Sequence, residues 1–171
     1  YGETELTFSL PAGKVLQVVE GQPAAAVADV PVAVRQALRQ PIGAPPLAAV
    51  VQPGDSVAII ASDITRQWIR HDLFLPVLLD ELNAAGIPDR DIVLVVALGA
   101  HRHHTAAEHA ATYGAAVVQR VRIEQSHAPH EQDFVSFGTT SRGTPVTINR
   151  HVAKADKVIM TGGIVYHMMA G

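Results

Sequence analysis

Long apolar runs alternate with polar loops and amphipathic stretches along the chain after residue 50. Two of these runs, SVAIIAS (56–62) and DIVLVVALG (91–99), contain almost only apolar side chains, which is typical of strands buried on both faces of a sheet. Between them, residues 72–86 are amphipathic and end at Gly86, a favourable residue for a helix C-cap. A buried strand, an amphipathic helix and a second buried strand predict a parallel sheet built from βαβ units.

The elements predicted further along the chain continue this alternation. Thr105 and Glu108 have the spacing of a capping box, so a helix is predicted to begin after Thr105 and to end near Gly114. A third strand is predicted for VRIEQS (121–126). DFVSFG and TPVTIN predict a hairpin, and residues 153–163 predict a short helix followed by a last buried strand.

The first 50 residues have a different pattern. LTFSLP and VLQVVE, separated by Ala12 and Gly13, predict a β-hairpin, and Asp29 is placed to cap a helix through VPVAVRQALRQ. We therefore expect an α/β fold in two parts. Residues 1–50 form the hairpin and helix, and residues 51–171 form a Rossmann-like layer with a mostly parallel sheet and flanking helices. Because the chain stops at Gly171 directly after a predicted strand, we expect it to be truncated.

Composition narrows the possible classes of function. Apolar residues make up 48% of the 171 residues and charged residues 17%, which is enough apolar material for a packed core. The net charge of −3 argues against a nucleic-acid partner. No apolar run is long enough to span a membrane, and the first residues lack a signal-peptide pattern. Cysteine is absent, which excludes disulfides and thiolate chemistry in this chain and fits a cytoplasmic protein.

Charged and titratable residues gather where three predicted strands end. The first strand is followed by Asp63-Ile64-Thr65-Arg66, the second by Gly99-Ala100-His101-Arg102, and the last by Gly162-Gly163-Ile164-Val165-Tyr166-His167. Ligands of parallel sheets bind beyond the carboxyl ends of the strands. We therefore expect these groups to converge on one crevice if the strands are neighbours.

Each of these residues also has a simpler interpretation. Asp63 is a favoured helix cap, and Arg66 is a surface residue or a partner of Asp63. His101 alone is a loop histidine, and His167 alone is a packed core histidine. His103 and His104 are interpreted as exposed residues ahead of the next helix, so we expect their replacement to be mild.

A zinc site is a weaker interpretation of the histidine-rich loop. His101, His103 and His104 are too closely spaced to bind one ion from a helix, and the chain has no HExxH motif. It also lacks a Walker loop, a GxGxxG loop and a GxSxG elbow, which leaves ordinary nucleotide binding and α/β-hydrolase chemistry without support from a motif.

The three motifs that follow these strands indicate a protein family more specifically in combination than any one of them does alone. The chain combines D-x-T-R from Asp63, G-x-H-R-x-x-T-x-x-E from Gly99, and GGIVYHMMAG at residues 162–171. In this combination it resembles the lactate racemase family that uses a nickel-pincer nucleotide. Members of that family are two-domain α/β proteins with a cleft between the domains, so the resemblance implies that this chain is a fragment of such a protein.

The resemblance also implies roles for individual residues. His101 and His167 correspond to two acid/base histidines, one for each face of the stereocentre of a 2-hydroxy acid, while the cofactor takes a hydride and returns it. Asp63, Thr65, Arg66, Arg102 and Gly171 are the implied substrate-binding or cofactor-binding residues. No metal ligand is implied within this chain, because the nickel-binding histidine of the family comes later. We therefore expect the cofactor only in the full-length protein, and the fragment alone to be inactive.

The substrate and two alternative functions stay open. Gln125-Ser126-His127 stands where many relatives carry Asn-His-Asp, and any lactate-like 2-hydroxy acid fits the motifs. Proteins that make the cofactor are the implied partners. The main alternative is a nucleotide-binding α/β protein without racemase activity. A metal-dependent hydrolase built on the HRHH segment is the third, and it predicts tight zinc binding by the fragment alone.

Overall fold

The computed structural model describes residues 4–11, 13–14, 17–18, 21–22, 24–165 and 169. Its strands are β1 (Val57–Ser62), β2 (Ile92–Gly99), β3 (Arg122–His127), β4 (Phe134–Thr139), β5 (Pro145–Asn149) and β6 (Lys157–Met160). Its α-helices are α1 (Val30–Arg39), α2 (Leu47–Val50), α3 (His71–Ala84), α4 (Ala106–Tyr113), α5 (Ala115–Arg120) and α6 (Arg150–Lys154). Short 3-10 helices cover Ile64–Ile69, Asp89–Asp91 and Glu131–Asp133.

The main sheet is parallel, as the βαβ alternation predicts. Its strand order is β3-β2-β1-β6, and each neighbouring pair is parallel. Strands β2 and β3 are therefore added in turn on one side of β1, and β6 is added on the other side of β1. Strands β4 and β5 form the predicted antiparallel hairpin outside this sheet.

One face of the sheet carries most of the core. Side chains from β1, β2 and α3 form an apolar cluster, which includes the fully buried Ile59, Leu79 and Leu94. The buried Tyr113 closes the cluster from α4. A smaller cluster on the other face, built on Ala58 and Val95, is covered by α6. Full burial of these runs explains why they lack the alternation of a half-exposed strand.

The predicted helix caps are confirmed. Asp29 accepts a hydrogen bond of 2.9 Å from the Val32 amide at the start of α1. Thr105 and Glu108 form a complete capping box on α4. Gly86 follows α3 with φ +94°, where an added Cβ would lie 2.8 Å from Pro53. These local signals set the element boundaries within one or two residues of their predicted positions.

The N-terminal hairpin is not formed by the described residues. Residues 6–11 contain no strand, and Leu6, Phe8 and Leu10 expose 60–76% of their surface. A two-stranded hairpin needs an apolar surface to pack against, and none of the described parts of the chain covers these three side chains. Residues 12, 15, 16, 19 and 20 of the prediction lie outside the described residues.

The last strand is an edge strand rather than a buried one. β6 pairs with β1, and Val158 and Met160 expose 45% and 81% of their surface. The apolar run VIM predicts a strand buried on both faces, and this prediction is wrong because strand position in a sheet depends on long-range pairing that the run does not encode.

No helix in the described parts of the chain is long and apolar enough to cross a membrane.

Candidate functional site

The strand order places the predicted site residues at one edge of the sheet. β1 and β2 run in parallel with Ser62 paired to Ala97, so the residues that follow both strands leave the sheet side by side. On the other side of β1, the Thr161 hydroxyl donates to the Ile60 carbonyl at 2.9 Å, directly after β6. The strand order reverses at β1. Such a reversal is where open parallel sheets form their binding crevice.

Asp63 is the buried acceptor of this site, with only 4% of its surface exposed. It caps the 3-10 helix that starts at Ile64, and its Oδ1 accepts from the Thr65 amide at 3.2 Å and from the Thr65 hydroxyl at 2.5 Å. Its other oxygen, Oδ2, lies 2.5 Å from Nδ1 of His101. The capping role and the contact with a histidine therefore use different oxygens of one carboxylate.

The contact with Asp63 fixes the orientation of His101. A carboxylate accepts but does not donate, so Nδ1 of His101 carries the proton and Nε2 is left with a free lone pair. The side chain of His101 is 54% exposed, which keeps Nε2 accessible. Gly99, with φ +58°, turns the chain at the end of β2, and the His101 amide closes that turn on the Leu98 carbonyl at 3.0 Å.

The surroundings keep Asp63 ionised. Burial raises the pKa of this carboxyl, but hydrogen bonds from Thr65 and His101, together with the electrostatic attraction of the His101 ring, more than offset the effect of burial. The net result is a pKa below the ordinary value of an aspartate. The site thus holds a buried negative charge against an exposed imidazole.

Arg66 joins the site through Thr65 rather than through Asp63. Its Nη1 donates to the Thr65 hydroxyl at 3.0 Å, and that hydroxyl donates in turn to Asp63. The direct pair of Arg66 with Asp63, one of the sequence interpretations, is not among the described contacts. The guanidinium keeps further donors for an anionic ligand.

Arg102 faces a different carboxylate. Its guanidinium donates to both oxygens of Glu108, at 2.9 and 2.6 Å, and to the carbonyl of His103 at 2.9 Å. Since Glu108 also caps α4, these contacts tie the loop after β2 to the start of the helix. His167 and Gly171 lie outside the described residues.

The interpretation of His104 as an exposed residue is wrong. Only 7% of its surface is exposed, and its Nε2 accepts from the Ile64 amide at 3.1 Å. The backbone of His104 is held by Gln125 of β3, whose side chain accepts from the His104 amide at 2.6 Å. His104 therefore links the exits of β1, β2 and β3. No local motif signals this role, because the hydrogen-bond partners Ile64 and Gln125 are distant in sequence.

Replacing His104 by alanine is expected to lower the free energy of unfolding by about 1–3 kcal/mol, because the Ile64 amide loses its acceptor and a cavity forms beside Tyr113. Urea unfolding followed by circular dichroism measures this change. The matched control is His103→Ala in buffer with a chelator, which should stay within about 0.5 kcal/mol of the wild type since His103 is exposed. Equal losses in the two variants would contradict the linking role of His104.

Glu108 is expected to make the domain sensitive to acid. Hydrogen bonds from Arg102 and from the Thr105 amide lower the pKa of Glu108 to about 2, against 4.5 for the unperturbed carboxyl. The stabilisation by ionised Glu108 is therefore complete above pH 4.5 and is lost as the pH falls toward 2. The urea midpoint should fall more steeply over this range in the wild type than in Glu108→Gln, which keeps the capping geometry. Parallel pH profiles would refute the assignment.

These features define a parallel α/β domain with a histidine–aspartate pair at the carboxyl edge of its sheet. The chain matches the family model described as lactate racemase N-terminal domain over residues 1–171, and it belongs to that family. The resemblance drawn from the three strand exits is thereby confirmed.

Two curated relatives and one solved structure agree with this assignment. The chain is 27% identical to the lactate racemase of Thermoanaerobacterium thermosaccharolyticum over 173 residues, which cover 100% of the chain and 40% of that protein. It is 33% identical to the lactate racemase of Lactiplantibacillus plantarum over 138 residues, which cover 81% of the chain and 32% of that protein. The lactate racemase apoprotein structure from T. thermosaccharolyticum matches with a TM-score of 0.77 at 26% identity, over 94% of the chain and 37% of that structure. The chain thus spans no more than 40% of the length of these relatives.

Proposed function

We propose that the protein containing this chain is a racemase or epimerase of a 2-hydroxy acid, and that His101 is one of its acid/base residues. The observation that carries the proposal is the contact of 2.5 Å between His101 Nδ1 and the buried Asp63. It leaves an exposed Nε2 as a base at the edge of the sheet where ligands bind. The relatives named above are lactate racemases, which supports an isomerase of this class.

His101 would move the proton of the substrate hydroxyl. In the ground state its Nε2 accepts a hydrogen bond from the hydroxyl at C2, and it takes this proton as the hydrogen at C2 departs. Asp63 faces the other nitrogen and stabilises the imidazolium that results. In the reverse direction, Nε2 gives a proton to the oxygen when the enantiomer that His101 serves is formed. An imidazole suits both steps because its ordinary pKa is close to neutrality.

Arg66 would hold the carboxylate of the substrate. Its link to Thr65 fixes one end of the guanidinium beside Asp63, and a planar guanidinium can donate two parallel hydrogen bonds to a carboxylate. This would place an anionic substrate with its C2 hydroxyl near His101. In the same proposal His167 serves the opposite enantiomer, because inversion needs a base for the hydroxyl of each.

The residues present fit the substrate side of a nickel-pincer nucleotide site. The described part of the site combines a free imidazole nitrogen with guanidinium donors of Arg66, which suit an anionic acid or an anionic cofactor group. Thr65, Arg66, Arg102 and Gly171 would help hold these groups. When bound, the pyridinium ring of the cofactor supplies a hydride acceptor. We expect the cofactor only in the full-length protein, made by its biosynthetic proteins, and no racemase activity from residues 1–171 alone.

The test uses the full-length enzyme co-expressed with the cofactor-biosynthesis proteins. Single enantiomers of lactate and of larger 2-hydroxy acids, including sugar acids, are incubated with it, and chiral chromatography measures the composition of stereoisomers. Inversion of at least one acid, absent in enzyme made without the biosynthetic proteins, is expected. No inversion of any acid by loaded enzyme would favour the nucleotide-binding alternative.

A further inference from the structure

Three histidines that are separate in sequence lie together at the exits of β2 and β3. In His103, His127 and His130, one ring nitrogen of each can be chosen so that all three lie within 4.8 Å of one another. The ring centroids are 4.7 Å apart for His103 and His127, 5.3 Å for His103 and His130, and 4.9 Å for His127 and His130. Each ring therefore contacts both of the others.

The backbone brings these rings together from two loops. His103 lies in the loop after β2, His127 is the last residue of β3, and His130 precedes the 3-10 helix Glu131–Asp133. The two loops are joined where the Ala128 amide donates to the Gly99 carbonyl at 2.8 Å. Because β2 and β3 are neighbours in a parallel sheet, the juxtaposition follows from the fold and not from spacing within one loop.

Hydrogen bonds among the described residues do not account for the cluster. Nδ1 of His127 is buried and has no hydrogen-bond partner in the part of the chain that the structure describes. A neutral imidazole with a free lone pair is the form that binds metal ions.

We propose that His103, His127 and His130 form a binding site for a divalent transition-metal ion of the zinc type. Three imidazoles without a thiolate suit zinc, copper, nickel or cobalt, and a water molecule can complete a tetrahedral shell. Zinc–nitrogen bonds of about 2.0–2.1 Å place tetrahedral donors about 3.3 Å apart. The exposed rings of His103 and His130 can rotate to reach this spacing.

A second contact supports the choice of His130 as a ligand. Its Nδ1 lies 3.9 Å from Oδ2 of Asp133, and Asp133 is itself held by Arg150. At 3.9 Å the two atoms are too far apart for a hydrogen bond, but a small rotation of the exposed ring would let the carboxylate accept from Nδ1. Such a partner orients a metal-binding histidine and makes its other nitrogen a better donor. This leaves Nε2 of His130 for the ion.

The site is separate from the proposed racemase residues. Among the described residues, His101 is not part of the group of histidines whose ring nitrogens lie within 4.8 Å of one another, so it is not expected to be a ligand. A bound ion would cross-link the loop that carries His101 and His103 to the exit of β3. Metal binding should therefore stabilise the folded protein by mass action, and thermal unfolding should report it.

The experiment uses full-length protein without an affinity tag, made without the cofactor-biosynthesis proteins and stripped with a chelator. Zinc chloride is titrated by calorimetry, and cobalt chloride is followed by visible absorption, which is intense for tetrahedral cobalt. The variants are His103→Gln and His130→Gln, whose exposed side chains leave the core intact. The controls are His101→Gln and His151→Gln, and circular dichroism verifies that every variant is folded.

The wild type is expected to bind one equivalent of zinc more than either variant, or to bind zinc at least about 100-fold more tightly. Zinc should also raise the melting temperature of the wild type but not that of the two variants. Both controls should bind as the wild type does. Equal zinc stoichiometry, affinity and cobalt spectra in wild type, His103→Gln and His130→Gln would overturn the proposal. A loss in His101→Gln equal to that in His130→Gln would overturn the assignment of the ligands.

Discussion

The His101→Gln enzyme is expected to lose turnover by at least about 10²–10⁴-fold while keeping its fold. Glutamine can still donate a hydrogen bond to Asp63, so the buried carboxylate keeps a partner, but an amide cannot take up the proton of the substrate hydroxyl. Because the side chain of His101 is 54% exposed, little packing is lost. Racemisation rates of the cofactor-loaded enzyme measure the loss, and circular dichroism verifies the fold.

His151→Gln is the matched control for that experiment. His151 follows β5 and faces Glu124 at 3.7 Å, away from Asp63, so its replacement should leave turnover close to the wild-type value. If the His101→Gln enzyme turned over as fast as the control, His101 would not be an acid/base residue. The main argument for placing the active site at this edge of the sheet would then be lost.

The Asp63→Asn enzyme is expected to lose turnover by about 10²-fold or more with a small change in stability. Asparagine caps helices about as well as aspartate, so the start of the 3-10 helix at Ile64 should survive. The negative charge that stabilises protonated His101 is lost, and an amide can donate to Nδ1 as well as accept from it. His101 should then populate both tautomers.

Nitrogen NMR of the His101 ring separates a positioning role from a structural one. In the wild type the proton is expected on Nδ1, and in Asp63→Asn a mixture of Nδ1-protonated and Nε2-protonated rings is expected. Racemisation lost without a change in the His101 tautomer would contradict the positioning role. An unfolded Asp63→Asn domain would instead make the capping bond to Thr65 the main contribution of Asp63.

The pair of His101 and Asp63 could be predicted because it depends on neighbouring strands. Continuous apolar runs identified β1 and β2, and residues that follow adjacent parallel strands must leave the sheet at the same edge. The sequence indicates this shared edge, whereas the contact of 2.5 Å between the two side chains comes from the structure. Capping signals at Asp29 and Thr105 were equally reliable, since their partners lie within three residues.

The contacts that the sequence did not predict all join residues of different loops. The hydrogen bond from the Ile64 amide to His104 spans 40 residues, and the meeting of His103 with His127 depends on the register of β2 and β3. No periodic pattern encodes such pairs. The edge position of β6 and the exposed stretch 6–10 have the same origin, because apolar composition shows that a residue favours burial but not what buries it.

Racemisation in D₂O tests the central claim most directly. The full-length, cofactor-loaded enzyme converts a single enantiomer of the acid that it inverts, and mass spectrometry and proton NMR of the product measure deuterium at C2. If His101 moves only the hydroxyl proton and the C2 hydrogen travels as a hydride, the inverted product should carry no deuterium at C2. Deuterium at C2 in the inverted product would instead mean that a base exchanges the C2 proton with solvent, which would contradict the proposed mechanism.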